Sequence, residues 1–322
     1  MAQILDTVLL LALPASGKSE VRKYLKLLSP EECARDFHMG TTVQLDDFPY
    51  VHVMRRIDDE LAALGHARIY FHAPDKSFLE PRQWGALIAL CNDDHADLVS
   101  RKQYTPKSAA SQLFDRLDTA SLQVGALPCI SPLNPAVREA LAGALEKEAR
   151  DLLDEKHASY PDTLTGKTLV IEFARGGAQG SALPLAAPFG YAYSIGMLSP
   201  AILERAVVLY IWVTPEESRR KNFARADPND PGSILHHSVP IDVMLNDYGV
   251  CDMDWLEEHS GQPGTLAIQA HGKTYHLPIA RFDNRVDKTS FIREDKPKWK
   301  ADDVKAVHEG LRGALETLSK AR

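Results

Sequence analysis

Residues 9–19, with the sequence LLLALPASGKS, constrain the fold more than any other stretch of the chain. An apolar run over residues 9–13 has the composition of a buried β-strand, and the small residues after it favour a tight turn. After Gly17, Lys18 and Ser19, apolar residues recur with the spacing of one helix face, as Val21, Tyr24, Leu25 and Leu28. The pattern therefore predicts a strand, a loop and a helix that begins at the lysine.

The same residues fit the phosphate-binding pattern G-x-x-x-x-G-K-[ST], with Ala12 in place of the first glycine. Small loop residues let successive backbone N–H groups surround phosphate oxygens at the positive end of the next helix. Lys18 adds a cation for the β- and γ-phosphates, and the Ser19 hydroxyl can ligate Mg²⁺. Ala12 fits only if its φ is negative, and the alternative is a chance match in a surface turn. We expect the loop to bind ATP and Mg²⁺ through Pro14, Ala15, Ser16, Gly17, Lys18 and Ser19.

Length, composition and net charge limit the classes of protein to which this chain can belong. The chain has 322 residues, 44% of them apolar, so it can bury a large core in two domains or in one domain with insertions. A net charge of −7 argues against nonspecific nucleic-acid binding. Four widely spaced cysteines predict free thiols in a reducing compartment. With Asp6 in the first apolar stretch and no run long enough for a membrane span, we expect a cytoplasmic protein without a signal peptide. The oligomeric state stays open.

Two carboxylates, Asp46 and Asp47, follow the second predicted strand, which covers residues 41–45. In an open α/β sheet, ligands bind at the carboxyl ends of the strands. Phosphoryl transfer to a hydroxyl needs a carboxylate at that edge, to orient the acceptor and take its proton. Asp46 and Asp47 are therefore candidate catalytic or substrate-binding residues, and the alternative is that they cap the following helix.

Residues 45–48, Leu-Asp-Asp-Phe, resemble the strand-end element of the uridine kinase and phosphoribulokinase branch of the P-loop kinases. The resemblance implies that Asp46 is the catalytic carboxylate, and Asp47 is the second candidate, with a role in substrate binding. Arg55 and Arg56 follow on the next predicted helix. They either hold an anionic substrate or lie in solvent.

A third buried strand is predicted over residues 167–173 and carries Glu172 near its end. A carboxylate there occupies the Walker B position, so we expect Glu172 to reach Mg²⁺, directly or through water, alongside Ser19. The alternative for Glu172 is simple solvation of the strand end. Arg175 follows in a loop rich in glycine and alanine, where small residues let a ligand approach closely, and we expect it to contact the substrate.

A fourth strand over residues 206–213 leads into a helix with Thr214 in the N-cap position. This helix contains Arg219, Arg220 and Arg225 and runs into a polar segment rich in proline, glycine and aspartate. The arrangement resembles the lid of nucleoside and nucleotide kinases, which implies that the arginines neutralise the transferring phosphoryl group. Without a ligand we expect these guanidinium groups to repel one another and to have no phosphate partner. The alternative is a basic helix face in solvent.

Residues 264–279 alternate around a His-Gly turn and predict a small hairpin, which leads into the fifth core strand over residues 277–282. Asn284 lies in the loop after that strand. In the kinases that the chain resembles, this loop packs on the nucleobase. The resemblance therefore implies that Asn284 contacts the adenine of ATP.

The resemblance also implies an α/β fold of the P-loop NTPase type, with three α/β/α layers and a five-stranded parallel sheet in the order 2-3-1-4-5. The core covers residues 1–65 and 163–322, with the lid at about residues 214–240. Residues 66–162 contain three predicted helices. We interpret them as a helical insertion on the acceptor side, because related kinases place a module that covers the acceptor there.

These features favour an ATP-dependent kinase acting on a small hydroxyl- or phosphate-bearing metabolite, with nucleosides and nucleotides among the candidates. One alternative is a polynucleotide 5′-end kinase, which shares the loop, the acid and the lid. The acidic net charge and the lack of a basic stretch with interleaved aromatic residues argue against it. A second alternative is a nucleotide-binding regulator with little turnover, which Ala12 keeps open. The identity of the acceptor stays open.

Overall fold

The computed structural model describes residues 4–225 and 238–322, apart from the side chain of Arg225. Its strands are β1 Thr7–Leu11, β2 Thr41–Asp46, β3 Lys167–Phe173, β4 Ala206–Trp212, β5 Thr265–Ala270 and β6 Lys273–Asp283. They form one sheet in the order β2-β3-β1-β4-β6-β5. The first five strands in that order are parallel, and β5 is antiparallel to β6. The protein is therefore an α/β protein with a mostly parallel sheet.

Helices cover both faces of this sheet. They are α1 Lys18–Lys26, α2 Pro30–Phe37, α3 Phe48–Ala63, α4 Gln83–Ser100, α5 Ala109–Gln123, α6 Pro135–Ala158, α7 Gly190–Gly196, α8 Pro200–Leu203, α9 Pro215–Arg225, α10 Ile241–Asn246, α11 Met253–Glu258 and α12 Ala301–Lys320. Successive strand residues point to opposite faces. Leu9 and Leu11 share an apolar cluster with α4, α7 and α11, and Val8 and Leu10 share another with α1, α2 and α12. Within the described residues, no helix has the length and apolar character required to span a membrane.

The strand order differs from the predicted 2-3-1-4-5, because the sheet has a sixth strand. The predicted hairpin and the predicted fifth strand are continuous in β6. The first half of β6 pairs with β5, up to Pro278, and the second half pairs with β4 from Ile279 onward. Because β6 pairs with both β4 and β5, β5 lies at the edge of the sheet as its sixth strand.

A third apolar cluster joins the sheet to residues 66–162. It packs α3 against α4, α5 and α6, and it includes Leu13 after β1 and Met244 of α10. The predicted helical insertion therefore shares a core with segments that also surround the loop after β1. This packing brings α3, α4 and α10 to the carboxyl edge of the sheet.

Candidate functional site

The loop after β1 has the conformation that its sequence predicts. Gly17 precedes α1 with φ 108° and ψ 10°, a left-handed conformation, and Ala15 has φ 57°. A Cβ atom on Gly17 would lie 2.5 Å from Thr289 Oγ1, so glycine is required for space as well as for φ. Ala12 is fully buried and is not among the residues with positive φ, so its side chain causes no strain there.

Side chains of the loop itself and of α9 hold the carbonyl groups of this loop. Ser16 Oγ donates to the Leu13 carbonyl over 2.6 Å, and Ser218 Oγ donates to the Pro14 carbonyl over 2.6 Å. Lys18 Nζ donates to the Ala12 carbonyl over 3.2 Å. The first N–H groups of a helix have no acceptor within that helix, so the start of α1 can receive an anion.

Asp46 and Glu172 lie side by side at the carboxyl ends of β2 and β3, as direct neighbours in the register. Arg22 of α1 bridges them, with one nitrogen 3.3 Å from Asp46 Oδ2 and 2.8 Å from Glu172 Oε2. Burial, the charge of Glu172 and the charge of Asp47 together raise the pKa of Asp46 to about 7. Burial also raises the pKa of Glu172. The site therefore contains a carboxylate that can exchange a proton near neutral pH.

The sequence analysis did not identify Arg22. A signal for it exists, because Arg22 follows Lys18 by four residues and so lies on the same face of α1. Its partners lie 24 and 150 residues away along the chain. Only the parallel pairing of β2 with β3 makes those contacts possible.

Asp47 and Arg175 bind each other, and both also line the cavity described below, so their contact with a substrate stays a prediction. Their ion pair measures 2.7 Å, and both side chains are almost fully buried. The Arg175 guanidinium also donates to Ser194 Oγ, to the Trp84 carbonyl and to the Ala174 carbonyl. Because these contacts occupy the guanidinium inside the core, the pair anchors α4 and α7 to the sheet edge.

We expect Asp47→Asn to lower the free energy of unfolding by about 3–5 kcal/mol, because it leaves a buried guanidinium without its counter-ion. Urea denaturation followed by circular dichroism measures this change. The matched control is Asp46→Asn, one residue away, whose loss of charge relieves repulsion from Glu172. Equal stability of the two variants would contradict the anchoring role of Asp47.

Arg55 and Arg56 point in different directions, as adjacent helix residues must. Arg55 lies over the Phe71 ring at 4.0 Å and donates to the Pro74 carbonyl over 2.7 Å. Arg56 pairs with Glu60 at 2.7 Å and with Glu148 of α6 at 3.4 Å. The prediction that Arg56 contacts a substrate is therefore wrong, whereas Arg55 lines the cavity described below.

Arg219 and Arg220 each pair with a glutamate of α9, and their contact with a phosphoryl group stays a prediction. Arg219 lies 3.1 Å from Glu216, and Arg220 lies 2.7 Å from Glu217. The predicted cap is confirmed, because Thr214 Oγ1 accepts from the N–H of Glu217. Neither arginine lines the cavity at the loop. The side chain of Arg225 and the predicted lid segment over residues 226–237 lie outside the described residues.

Asn284 supports the loop from behind, so the predicted contact with adenine is wrong. It is fully buried, and its Nδ2 donates to the Ser16 carbonyl over 2.7 Å and to Thr289 Oγ1 over 2.9 Å. Its Oδ1 accepts from the N–H of Lys288 over 2.7 Å. The amide thereby fixes the carbonyl that precedes Gly17 and has no face available for a base.

A cavity of about 240 Å³ connects the loop to the acid pair. Every predicted loop residue, Pro14 to Ser19, lines it, together with Asp46, Glu172 and the side chains of α3, α4 and α10. Asp46 also lines a second cavity of about 560 Å³, between β2 and helices α5 and α6. Of these two cavities, only the smaller one contains the loop, so it is the candidate site.

Ser19 and Glu172 both line this cavity and are the predicted Mg²⁺ contacts. Among residues 4–225 and 238–322 there is no group of three or more His, Cys, Asp or Glu side chains that could hold a metal ion. Mg²⁺ keeps several waters and binds through one or two carboxylates plus substrate phosphates, so a hydroxyl and a carboxylate suit it. The donor set therefore fits Mg²⁺ that arrives with a nucleotide.

The arrangement thus combines a loop at the start of a helix, a lysine, a buried acid pair and a small cavity. A fold of this class hosts many activities, so the function has to be inferred from the site. Comparison of the chain with protein-family models, with curated proteins and with solved structures finds no match.

Proposed function

We propose that the protein is a Mg²⁺-dependent kinase that transfers the γ-phosphoryl group of ATP to the hydroxyl of a small acceptor. One observation carries the proposal: Lys18 and Asp46 line the same cavity. Phosphoryl transfer needs a cation at the phosphates and a carboxylate at the acceptor, held in one place. A cavity of about 240 Å³ suits a metabolite-sized acceptor.

We extend the proposal to the fold, as that of a P-loop NTPase. In support, the loop follows β1, which lies between β3 and β4. The five parallel strands keep the order β2-β3-β1-β4-β6, and β5 is an addition at the edge. A phosphate loop after a central strand, with acids on the two strands to one side, suits this architecture. The use of ATP also suits the cytoplasm, which we propose as the compartment.

In the proposed reaction, Asp46 takes the proton of the acceptor hydroxyl as its oxygen bonds to the γ-phosphorus, and the bond from that phosphorus to ADP breaks. Lys18 and the first N–H groups of α1 hold the phosphates, with Ser19 and Glu172 holding Mg²⁺. When bound, Mg²⁺ neutralises charge on the transferring group. Arg22 keeps Asp46 and Glu172 together despite their mutual repulsion.

The test incubates the protein with ATP labelled at the γ-phosphate, Mg²⁺ and pooled nucleosides, nucleotides, sugars and an oligonucleotide. We expect label on a small acceptor, and none with a Lys18→Ala variant. Label on the oligonucleotide alone would favour a polynucleotide 5′-end kinase. ATP binding without transfer to any pool would favour a nucleotide-binding regulator.

A further inference from the structure

Aromatic side chains form a wall of the same cavity, away from the residues used so far. Phe71 and Phe78 stack with ring centroids 4.4 Å apart, and Trp84 meets the edge of Phe78 at 5.0 Å. Tyr248 in turn packs against Trp84 at 5.8 Å. All four line the cavity and are buried in the described structure. Such a surface suits a flat ring, because rings gain energy from offset and edge-to-face packing.

Asp247 faces this aromatic surface from the end of α10. It is only 4% exposed, and it lines the cavity. Within the described residues, no hydrogen bond of normal geometry reaches its Oδ2 atom, and the Ser77 hydroxyl interacts with this carboxylate only weakly. Burial raises the pKa of Asp247 to about 6, and the nearby Ser77 hydroxyl and Arg55 guanidinium oppose part of that rise. A buried carboxylate oxygen without a donor is unfavourable unless a ligand supplies one.

Two structural explanations for Asp247 are insufficient. It occupies the C-cap of α10, where the helix dipole disfavours a negative charge. Arg55 is the nearby cation, but its nitrogens donate to the carbonyls of Pro74 and Lys76 and it forms no ion pair with Asp247 among the described contacts. Neither helix capping nor ion pairing therefore accounts for this acid.

We propose that Asp247 and the aromatic wall bind the acceptor of the proposed kinase, and that this acceptor has a flat ring bearing an N–H or O–H donor directed at Asp247. The inference rests on the proposed function only in identifying the ligand as the acceptor. Binding of that ligand does not itself depend on ATP. A phosphate or carboxylate on that part of the ring would meet the charge of Asp247 and is disfavoured. On this proposal, an acceptor that carries a phosphate group would direct that group away from Asp247.

The test compares probes that share a ring and a hydroxymethyl group: 4-aminobenzyl alcohol, benzyl alcohol and 4-(hydroxymethyl)benzoate, with glycerol as a probe without a ring. Dissociation constants are measured by saturation-transfer NMR on the full chain without ATP. We expect the amine to bind about tenfold or more tightly than the carboxylate, with glycerol not detected. Carboxylate binding equal to amine binding, or no binding by any ring probe, would overturn the proposal.

Asp247→Asn keeps the side-chain shape and should reduce the preference for the amine over the carboxylate to about threefold or less. The matched control is Asp242→Asn, on the same helix, because Asp242 pairs with Lys76 and does not line the cavity. An unchanged preference in folded Asp247→Asn protein would overturn the assignment. If Asp247→Asn does not fold, the comparison of amine and carboxylate on the wild-type protein still decides.

The two proposals fail separately. If the protein binds the amine probe but not ATP, the kinase proposal is contradicted and this assignment stands. If the protein transfers phosphate to an acceptor without a ring and does not bind the ring probes, the kinase proposal stands and this assignment is contradicted.

Discussion

Replacing Asp46 by asparagine should lower kcat by about 10²–10⁴, with the affinity for ATP nearly unchanged. The amide keeps the shape of the side chain but cannot take the acceptor proton. The phosphate contacts of the loop do not involve Asp46, so binding of the nucleotide should survive. Steady-state phosphoryl transfer and calorimetry with a nonhydrolysable ATP analogue measure the two quantities.

The pH dependence of catalysis is a second test of the role of Asp46. Asp46 acts as a base only when ionised, and its pKa is raised to about 7. In the wild-type protein we therefore expect kcat/KM, which reports the groups of the free enzyme, to rise as the pH increases through about 7, and in Asp46→Asn that rise should be absent. A variant with near wild-type turnover, or with the same pH profile, would remove the catalytic role from Asp46.

Asp46→Asn should also leave the fold at least as stable as the wild type above pH 7. The pKa of Asp46 is higher in the folded protein than its usual value, so folding takes up a proton between about pH 4 and pH 7. The contribution of this carboxyl group to stability consequently falls as the pH rises through that interval. A residue that lowers stability while supporting activity is typical of a functional site.

Replacing Lys18 by alanine should weaken ATP binding about tenfold or more while leaving the fold intact. The ammonium group meets the nucleotide phosphates in the proposed complex, and in the structure it donates to the Ala12 carbonyl at the start of the loop. Calorimetric titration with ATP and Mg²⁺ measures the loss, and thermal unfolding checks the fold.

The matched control for that variant is Lys26→Ala, an exposed lysine in the last turn of the same helix. It removes the same charge from α1 at a position that does not line the cavity with the loop. Equal ATP affinity in Lys18→Ala and Lys26→Ala would contradict the phosphate-binding role of the loop, and the proposed function with it.

Local sequence patterns predicted the local structure well. The strand, loop and helix around Gly17 are present, with the glycine in the left-handed conformation that its position requires. Thr214 caps α9, as its sequence predicts. Caps and tight turns depend on residues within three or four positions of one another, so the sequence contains the relevant information.

Contacts between distant residues were the part that could not be predicted. Asp47 and Arg175 lie 128 residues apart, and no local pattern indicates their ion pair. Asn284 reaches back across 268 residues to the Ser16 carbonyl. No local sequence pattern indicates that Asp247 lines a site. It becomes a candidate binding residue only because α10 packs beside the aromatic wall. Partner choice at this range depends on tertiary packing, which a single sequence does not encode locally.

Ala12 affects the unfolded chain as well as the folded one. It stands where the phosphate-binding pattern has glycine, yet its φ is not positive and its side chain packs in the core. An alanine samples fewer backbone conformations than a glycine, so folding loses less entropy at this position, worth about 0.4–1 kcal/mol. The loop therefore starts from a residue whose backbone is already restricted before folding and whose carbonyl accepts a hydrogen bond from Lys18 in the folded protein.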